Sequence, residues 1–292
     1  MRSFKMTIVL LFGLTAGVGQ ASSQSGGMLP DTNRVVAIGG SITEIAFALG
    51  EQDKLVARDS TSVFPPAAFD LPDVGYMRQL APEGVLSVNP TGILALQGSG
   101  PKEAVDVLKK ASIPYVEIVD SFDHQGILNK IRMVGAALGA DEKAEQLAAE
   151  VDRKLDHVEQ QTVGIKERQR VLFILSFQGG KILASGSDTA ADGIIKLAGA
   201  VNAVEGFEGY KQLTDEALLI ARPDVVLMMD RAGSHAVKNE ELFAHPALAS
   251  TPAAASKRLI KMDGAYLLGF GPRTADAVHE LAKSLYGDEI AD

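Results

Sequence analysis

The residue in this chain best placed to do chemistry is Tyr76, in the run Gly75-Tyr76-Met77-Arg78. Gly75 admits backbone angles that a residue with a side chain resists, and Pro72 stiffens the approach, so the tyrosine is offered from a tight loop. A phenol ionises near pH 10, and a guanidinium or a ferric ion beside it favours the phenolate. Arg78 is spaced to play the first part. The phenolate oxygen is a hard ligand suited to ferric iron, as in haem proteins with a tyrosinate axial ligand. The same pattern also suits a packed or hydrogen-bonded structural tyrosine.

Other reactive groups form no recognisable set. The chain has no cysteine, which removes disulfides, thiolate metal sites and cysteine nucleophiles together. His124, His157, His235, His245 and His279 are dispersed and make no H-x-x-x-H or H-E-x-x-H pair, so the histidine spacing gives no zinc motif. The glycine turn at Gly39-Gly40 lacks both the G-x-G-x-x-G and the G-x-x-x-x-G-K-[ST] patterns, which excludes the usual dinucleotide and nucleotide loops. There is no G-x-S-x-G elbow, and Ser41 reads as the N-cap of a helix. A formal charge of -9 and the lack of a Lys/Arg run argue against nucleic acid or an anionic membrane as partner.

The elements that must position Tyr76 follow from periodicity. Arg34 to Ile38 is a short apolar run ending in glycine, as a buried parallel strand requires. Ser41 to Gly50 reads as a helix with the box Ser41-Ile-Thr-Glu44. Further strands are expected at Lys54 to Ala57, Thr91 to Leu96 and Tyr115 to Ile118, with helices at Ala81 to Ser87 and Pro101 to Ala111. From Asp141 to about Gln161 the residues Ala144, Leu147, Ala148, Val151, Leu155 and Val158 keep one apolar helical face. After it, Val171 to Leu175 restarts a strand and Thr189 to Gly199 a helix.

The second half echoes the first. Pro82-Glu83 to Pro90 and Asp215-Glu216 to Pro223 share a glutamate-to-proline spacing of seven residues, each followed by an apolar strand. The expected architecture is α/β, with two Rossmann-like lobes built on central parallel sheets, joined by a long helix, with a ligand cleft between them. The boundaries are 29–140 for the first lobe, 141–162 for the linking helix and 163–292 for the second. Tyr76 has no counterpart in this echo. At the start of the chain, Arg2 and Lys5 precede the apolar stretch Met6 to Val18 and the small residues Gly19-Gln20-Ala21, the pattern of a cleaved secretory signal over residues 1–21.

Several longer segments resemble one family. Ala37 to Gly50, Ala57 to Ser62, Leu71 to Leu80, Thr189 to Gly193, Gly206 to Tyr210 and Gly269 to Thr274 are similar to the periplasmic haem-binding proteins of bacterial ABC haem importers. These lie within the helix-linked group that also carries siderophores and cobalamin. The resemblance implies a non-enzymatic, monomeric periplasmic carrier that holds haem in the cleft and delivers it to an ABC permease. It makes Tyr76 the axial ligand of the haem iron, Arg78 the support of its phenolate, and Arg231 the partner of a haem propionate. Met77 would lie beside the haem.

Some relatives of that kind add a histidine after the first strand of the second lobe. Here that loop reads Ser176-Phe177-Gln178-Gly179-Gly180. The departure implies five-coordinate iron, with Phe177 and Gln178 covering the other haem face and His235 as a lesser candidate for a sixth ligand. Glu83 and Glu216 fall at the positions that dock on the permease in this group, and as first-turn acids they also complement their helix dipoles. A siderophore or cobalamin carrier, or an α/β enzyme using the same cleft, are the other readings the sequence admits.

Overall fold

The computed structural model describes residues 27–230 and 237–291. The expected signal segment, Arg231 and His235 lie outside the described residues.

The first lobe is a four-stranded sheet. Its elements are β1 (Val35–Ile38), α1 (Gly40–Ala48), β2 (Leu55–Arg58), α2 (Pro82–Leu86), β3 (Gly92–Leu96), α3 (Lys102–Lys110) and β4 (Tyr115–Ile118). All its strands are parallel, in the order β2-β1-β3-β4. Residues Val35 to Ile38 and Gly92 to Leu96 are buried throughout, as strands covered on both faces must be.

Two helices then run side by side, α4 (His124–Leu138) and α5 (Asp141–Thr162). Asp123 caps α4 by accepting from the Gly126 amide at 2.7 Å, and Gly139, at φ 69°, ends it in the left-handed conformation. The 22 residues of α5 span roughly 33 Å. Its apolar face packs on α4, and it also meets two helices of the second lobe.

That lobe comprises β5 (Arg170–Gln178), β6 (Lys181–Ser185), α6 (Ala190–Leu197), β7 (Val201–Asn202), β8 (Tyr210–Gln212), α7 (Asp215–Ala221) and β9 (Val225–Asp230). The short helices α8 (Asn239–Phe243), α9 (Pro246–Ala249) and α10 (Pro252–Ala255) follow, then β10 (Leu259–Asp263), α11 (Gly264–Leu268) and α12 (Thr274–Tyr286). The sheet order is β10-β9-β5-β6-β8, with β7 also paired to β5.

The centre of this sheet, β10-β9-β5 with β7, is parallel as expected, and its other edge is not. β5 turns at Gly179-Gly180 into an antiparallel hairpin with β6, and β8 adds antiparallel to that. Two glycines at φ 56° and 75° make the tight return possible. A second local difference concerns α1, whose N-cap is Gly39; Ser41 sits inside the first turn and caps nothing. One apolar cluster continues from β1 and β3 through α4 and α5 to β5, β9 and α12. A smaller cluster fills the far side of the second sheet.

Candidate functional site

A cleft of about 900 Å³ opens between the two sheets. Residues that follow the carboxyl ends of the strands line it. Gly40 and Ser41 come after β1, Gln97 after β3, Asp120 and Phe122 after β4, and Gly264 after β10. Open α/β sheets bind ligands at this edge, and the volume is at the upper end for small-molecule sites.

Tyr76 stands on the first-lobe wall of the cleft, 40% exposed. The loop that holds it is fixed at several points. Gly75 takes φ 103°, its amide donates to Asp73 Oδ1 at 2.8 Å, and its carbonyl accepts from the Ser60 amide at 3.0 Å. The next residue, Met77, is buried, and its carbonyl accepts from Gly100 N at 2.8 Å. Exposure therefore alternates, with Tyr76 and Arg78 outward and Met77 inward, and all three border the cleft. No hydrogen bond joins Tyr76 to Arg78.

Asp59 organises this wall from within. It is fully buried and accepts from the amides of Gly39 (3.0 Å), Thr61 (3.1 Å) and Met77 (3.3 Å), and from the hydroxyls of Thr61 and Ser62. One carboxylate thus ties the end of β1 to the tyrosine loop. Nothing local in the sequence marks Asp59, because its role comes from Gly39 at the end of the neighbouring strand and from Met77 in a later loop.

The opposite wall carries Tyr210, which the sequence reading also passed over. Gly209 before it has φ 77°. Its ring meets Phe173 edge-on at 6.4 Å, and its hydroxyl lies beside Thr189. Burial pushes its pKa up, while the positive charge of Arg78 acts the other way. Arg78 therefore projects its charge to the second-lobe wall.

At the back of the cleft the lobes are tied together. Glu44 of α1 accepts from the Arg273 amide (3.1 Å), Nε (3.0 Å) and Nη2 (2.9 Å). The Arg273 guanidinium also lies 3.5 Å from the centre of the Phe64 ring. Lys130, fully buried on α4, pairs with Asp120 and donates to the Phe270 carbonyl at 3.0 Å. Desolvation holds its pKa below the usual lysine range. Ser41 Oγ lies at the cleft, buried and without a hydrogen-bond partner among the described residues.

The structure therefore brings Tyr76, Met77 and Arg78 together on the cleft wall. It does not bring Phe177 or Gln178 there. Strict alternation from Phe173 would turn Leu175 and Phe177 to one face, but the register of β5 shifts between Ile174 and Ser176. After that irregularity Phe177 packs in the outer cluster and edge-on to His245, and Gln178 is exposed at the hairpin end. Leu175 and Ser176 line the cleft in their place. Glu83 and Glu216 are exposed in the first turns of α2 and α7, outside the cleft lining. The Glu216 carboxyl lies below the usual range because its own backbone amide and the Thr214 hydroxyl bond to it.

The family model described as periplasmic binding protein matches residues 35–266. Among solved structures, the periplasmic heme-binding protein BhuT in complex with two hemes is 38% identical. The match covers 88% of this chain and 99% of that one, at a TM-score of 0.82. RhuT, the periplasmic heme-binding protein of Roseiflexus sp. RS-1, is 35% identical over 89% of this chain and 100% of its own, also at 0.82. The uncharacterized ABC transporter substrate-binding lipoprotein YvrC of Bacillus subtilis is 28% identical, covering 94% of this chain and 87% of the relative. The Vitamin B12-binding protein of Photorhabdus laumondii is 23% identical, with 86% and 87% covered. The chain belongs to the periplasmic binding protein family, as a non-enzymatic substrate-binding protein of an ABC transporter in the group that carries haem and cobalamin.

Proposed function

We propose that this protein carries ferric haem in the interlobe cleft and hands it to an ABC permease on the outer side of the cytoplasmic membrane, in the periplasm. The observation that carries the reading is the phenol of Tyr76, exposed on the wall of a cleft that also presents Met77, Phe64, Phe122, Leu175, Leu183 and Leu268. In this reading the Tyr76 oxygen binds the haem iron as phenolate, a hard anionic donor for a ferric centre. Arg78 supplies positive charge at the same wall, and Met77 closes the surface beneath. The ring of Tyr210 and the side chains of Leu175 and Leu183 offer apolar surface to the macrocycle. The likeness to heme-binding structures at 35–38% identity supports this choice of cargo.

A propionate partner at Arg231 stays part of the proposal on sequence grounds alone, as does five-coordinate iron, with His235 the lesser candidate for a sixth ligand. Glu83 and Glu216 are proposed to face basic groups of the permease, one from each lobe. Replacing both by alanine leaves haem affinity unchanged and removes stimulation of transport in reconstituted vesicles; stimulation retained at the wild-type level refutes the docking role.

Haem titration of the purified protein, followed by absorbance, tests the cargo. The expected result is a high-spin ferric spectrum of tyrosinate type, absent in Tyr76→Phe. The names of the Vitamin B12-binding relatives favour a second reading, cobalamin. Calorimetry with cyanocobalamin decides between them: heat with cobalamin and none with haem overturns the haem reading.

A further inference from the structure

Helix α1 reaches the cleft with one residue whose backbone and side-chain donors are both unused. The amides of Gly39 and Gly40 are taken by Asp59 Oδ1 at 3.0 Å and Thr61 Oγ1 at 2.9 Å. Those of Ile42 and Thr43 donate to the Gly39 carbonyl, at 3.0 and 3.3 Å. Between these pairs, the Ser41 amide has no acceptor among the described residues. The Ser41 hydroxyl, on a residue only 4% exposed, has no partner among them either. A serine inside a helix often returns its hydroxyl to the carbonyl four residues back. Here that carbonyl is Ala37 in β1, and it already accepts the Asp59 amide at 3.1 Å.

Native proteins seldom leave two donors of one buried residue unpaired, because each loses its water without replacement. These two sit in the first turn of a nine-residue helix, whose amide end carries partial positive charge. Ser41 borders the cleft, with Gly40 before it and Glu44 one turn on. The second lobe closes over the same spot: a Cβ added to Gly271 would lie 3.6 Å from Ser41 Cα and 3.1 Å from Glu44 Oε1. The neighbouring carboxylates are already matched. Glu44 pairs with Arg273 and Asp120 with Lys130, and Asp59 is held by the amides of Gly39, Thr61 and Met77. The donors of Ser41 therefore await an acceptor from outside the chain. A carboxylate fits, because its two oxygens can take the N–H and the O–H of one residue together.

We propose that Ser41 is a cargo-binding residue, whose amide and hydroxyl receive a carboxylate on the rim of the macrocycle. The inference rests on the haem reading, since haem carries two propionates; it assigns one of them to the seam between the lobes and leaves the other for Arg231. The serine trades stability of the empty protein for grip on the loaded one, its hydroxyl being unpaired without cargo and paired with it.

The test is a pair of titrations of the purified protein and of Ser41→Ala, followed by absorbance. One uses ferric haem and the other ferric etioporphyrin, which keeps the iron and the macrocycle but has alkyl groups in place of the carboxylates. Ser41→Ala is expected to lower haem affinity by about tenfold or more, the scale of a hydrogen bond to a charged group, with the tyrosinate spectrum kept. It should bind etioporphyrin as the parent does. Its cargo-free Tm is expected at or above that of the parent, because alanine favours the helix and removes the unpaired hydroxyl. Equal haem affinity in parent and variant overturns the inference, and so does an equal loss with both porphyrins, which marks a purely structural role. A parent that gives no tyrosinate spectrum with haem overturns the haem reading itself, and the inference falls with it.

Discussion

Tyr76 and Tyr210 stand at matching places in the two lobes. Each follows a glycine with positive φ, 103° at Gly75 and 77° at Gly209, and each faces the cleft. Each also precedes a first-turn glutamate, by seven residues for Glu83 and six for Glu216. The expectation that Tyr76 stands alone in the repeat is therefore revised. What separates the two is freedom. Tyr210 is half-buried against Phe173 and beside Thr189, and burial pushes its phenol toward the neutral form. Tyr76 is exposed, with no ring partner or side-chain hydrogen bond among the described residues. The two phenols thus differ in setting, one packed into its wall and one left open to the cleft.

The strongest way to break this comparison is to remove each hydroxyl in turn. Tyr76→Phe is expected to abolish the tyrosinate spectrum and weaken haem binding by about a hundredfold or more, the scale of a lost metal ligand. Tyr210→Phe should keep the spectrum and cost about 1 kcal/mol of affinity, the worth of one ordinary hydrogen bond. Spectra that respond in the opposite order assign the ligand to the second lobe.

Asp59 acts on the first-lobe tyrosine alone. Asp59→Ala orphans several buried donors and should lower unfolding stability by about 3 kcal/mol, read from a urea titration, while also weakening haem binding. Normal stability would mean that the loop is held by other bonds. Glu44→Gln weakens the tie between lobes and is expected to cost about 2 kcal/mol, with a cleft that opens in small-angle scattering. The smallest effect separates the two duplicated helices. Thr214 caps α7 by accepting from Ala217 N at 3.2 Å, whereas Ala81 before α2 has no side chain to do so. Thr214→Ala should cost about 1 kcal/mol and Ala81→Asp should recover a similar amount; equal and null effects would mean that neither helix depends on its cap.

Most of the elements were legible because their signals are local. The apolar runs at Val35 to Ile38 and Tyr115 to Ile118 and the long face of α5 each lie within one segment. The Gly75 to Arg78 loop was legible for the same reason. The rest depends on partners distant in the chain. The antiparallel hairpin at Gly179-Gly180 and the shift that turns Phe177 outward arise from pairing with β6, which alternation along β5 alone does not reveal. Asp59 acquires its role from Met77 and Gly39, and Arg273 from Glu44. Helix α1 begins one residue ahead of Ser41 because the Gly39 and Gly40 amides are already taken by Asp59 and Thr61.

The bonds at the back of the cleft bear on how such a chain can change over generations. Glu44, from the first lobe, accepts the amide of Arg273 at the start of α12 in the second, and Lys130 holds the Phe270 carbonyl just before it. Side chains of the first lobe thus complete the backbone of the second, and the apolar cluster crosses the boundary without a break. Exchange of whole lobes between relatives would strand a buried lysine and an uncapped helix at the join. New cargo preferences are therefore expected to arise by substitution in the loops at the strand ends, with the two lobes inherited as one piece.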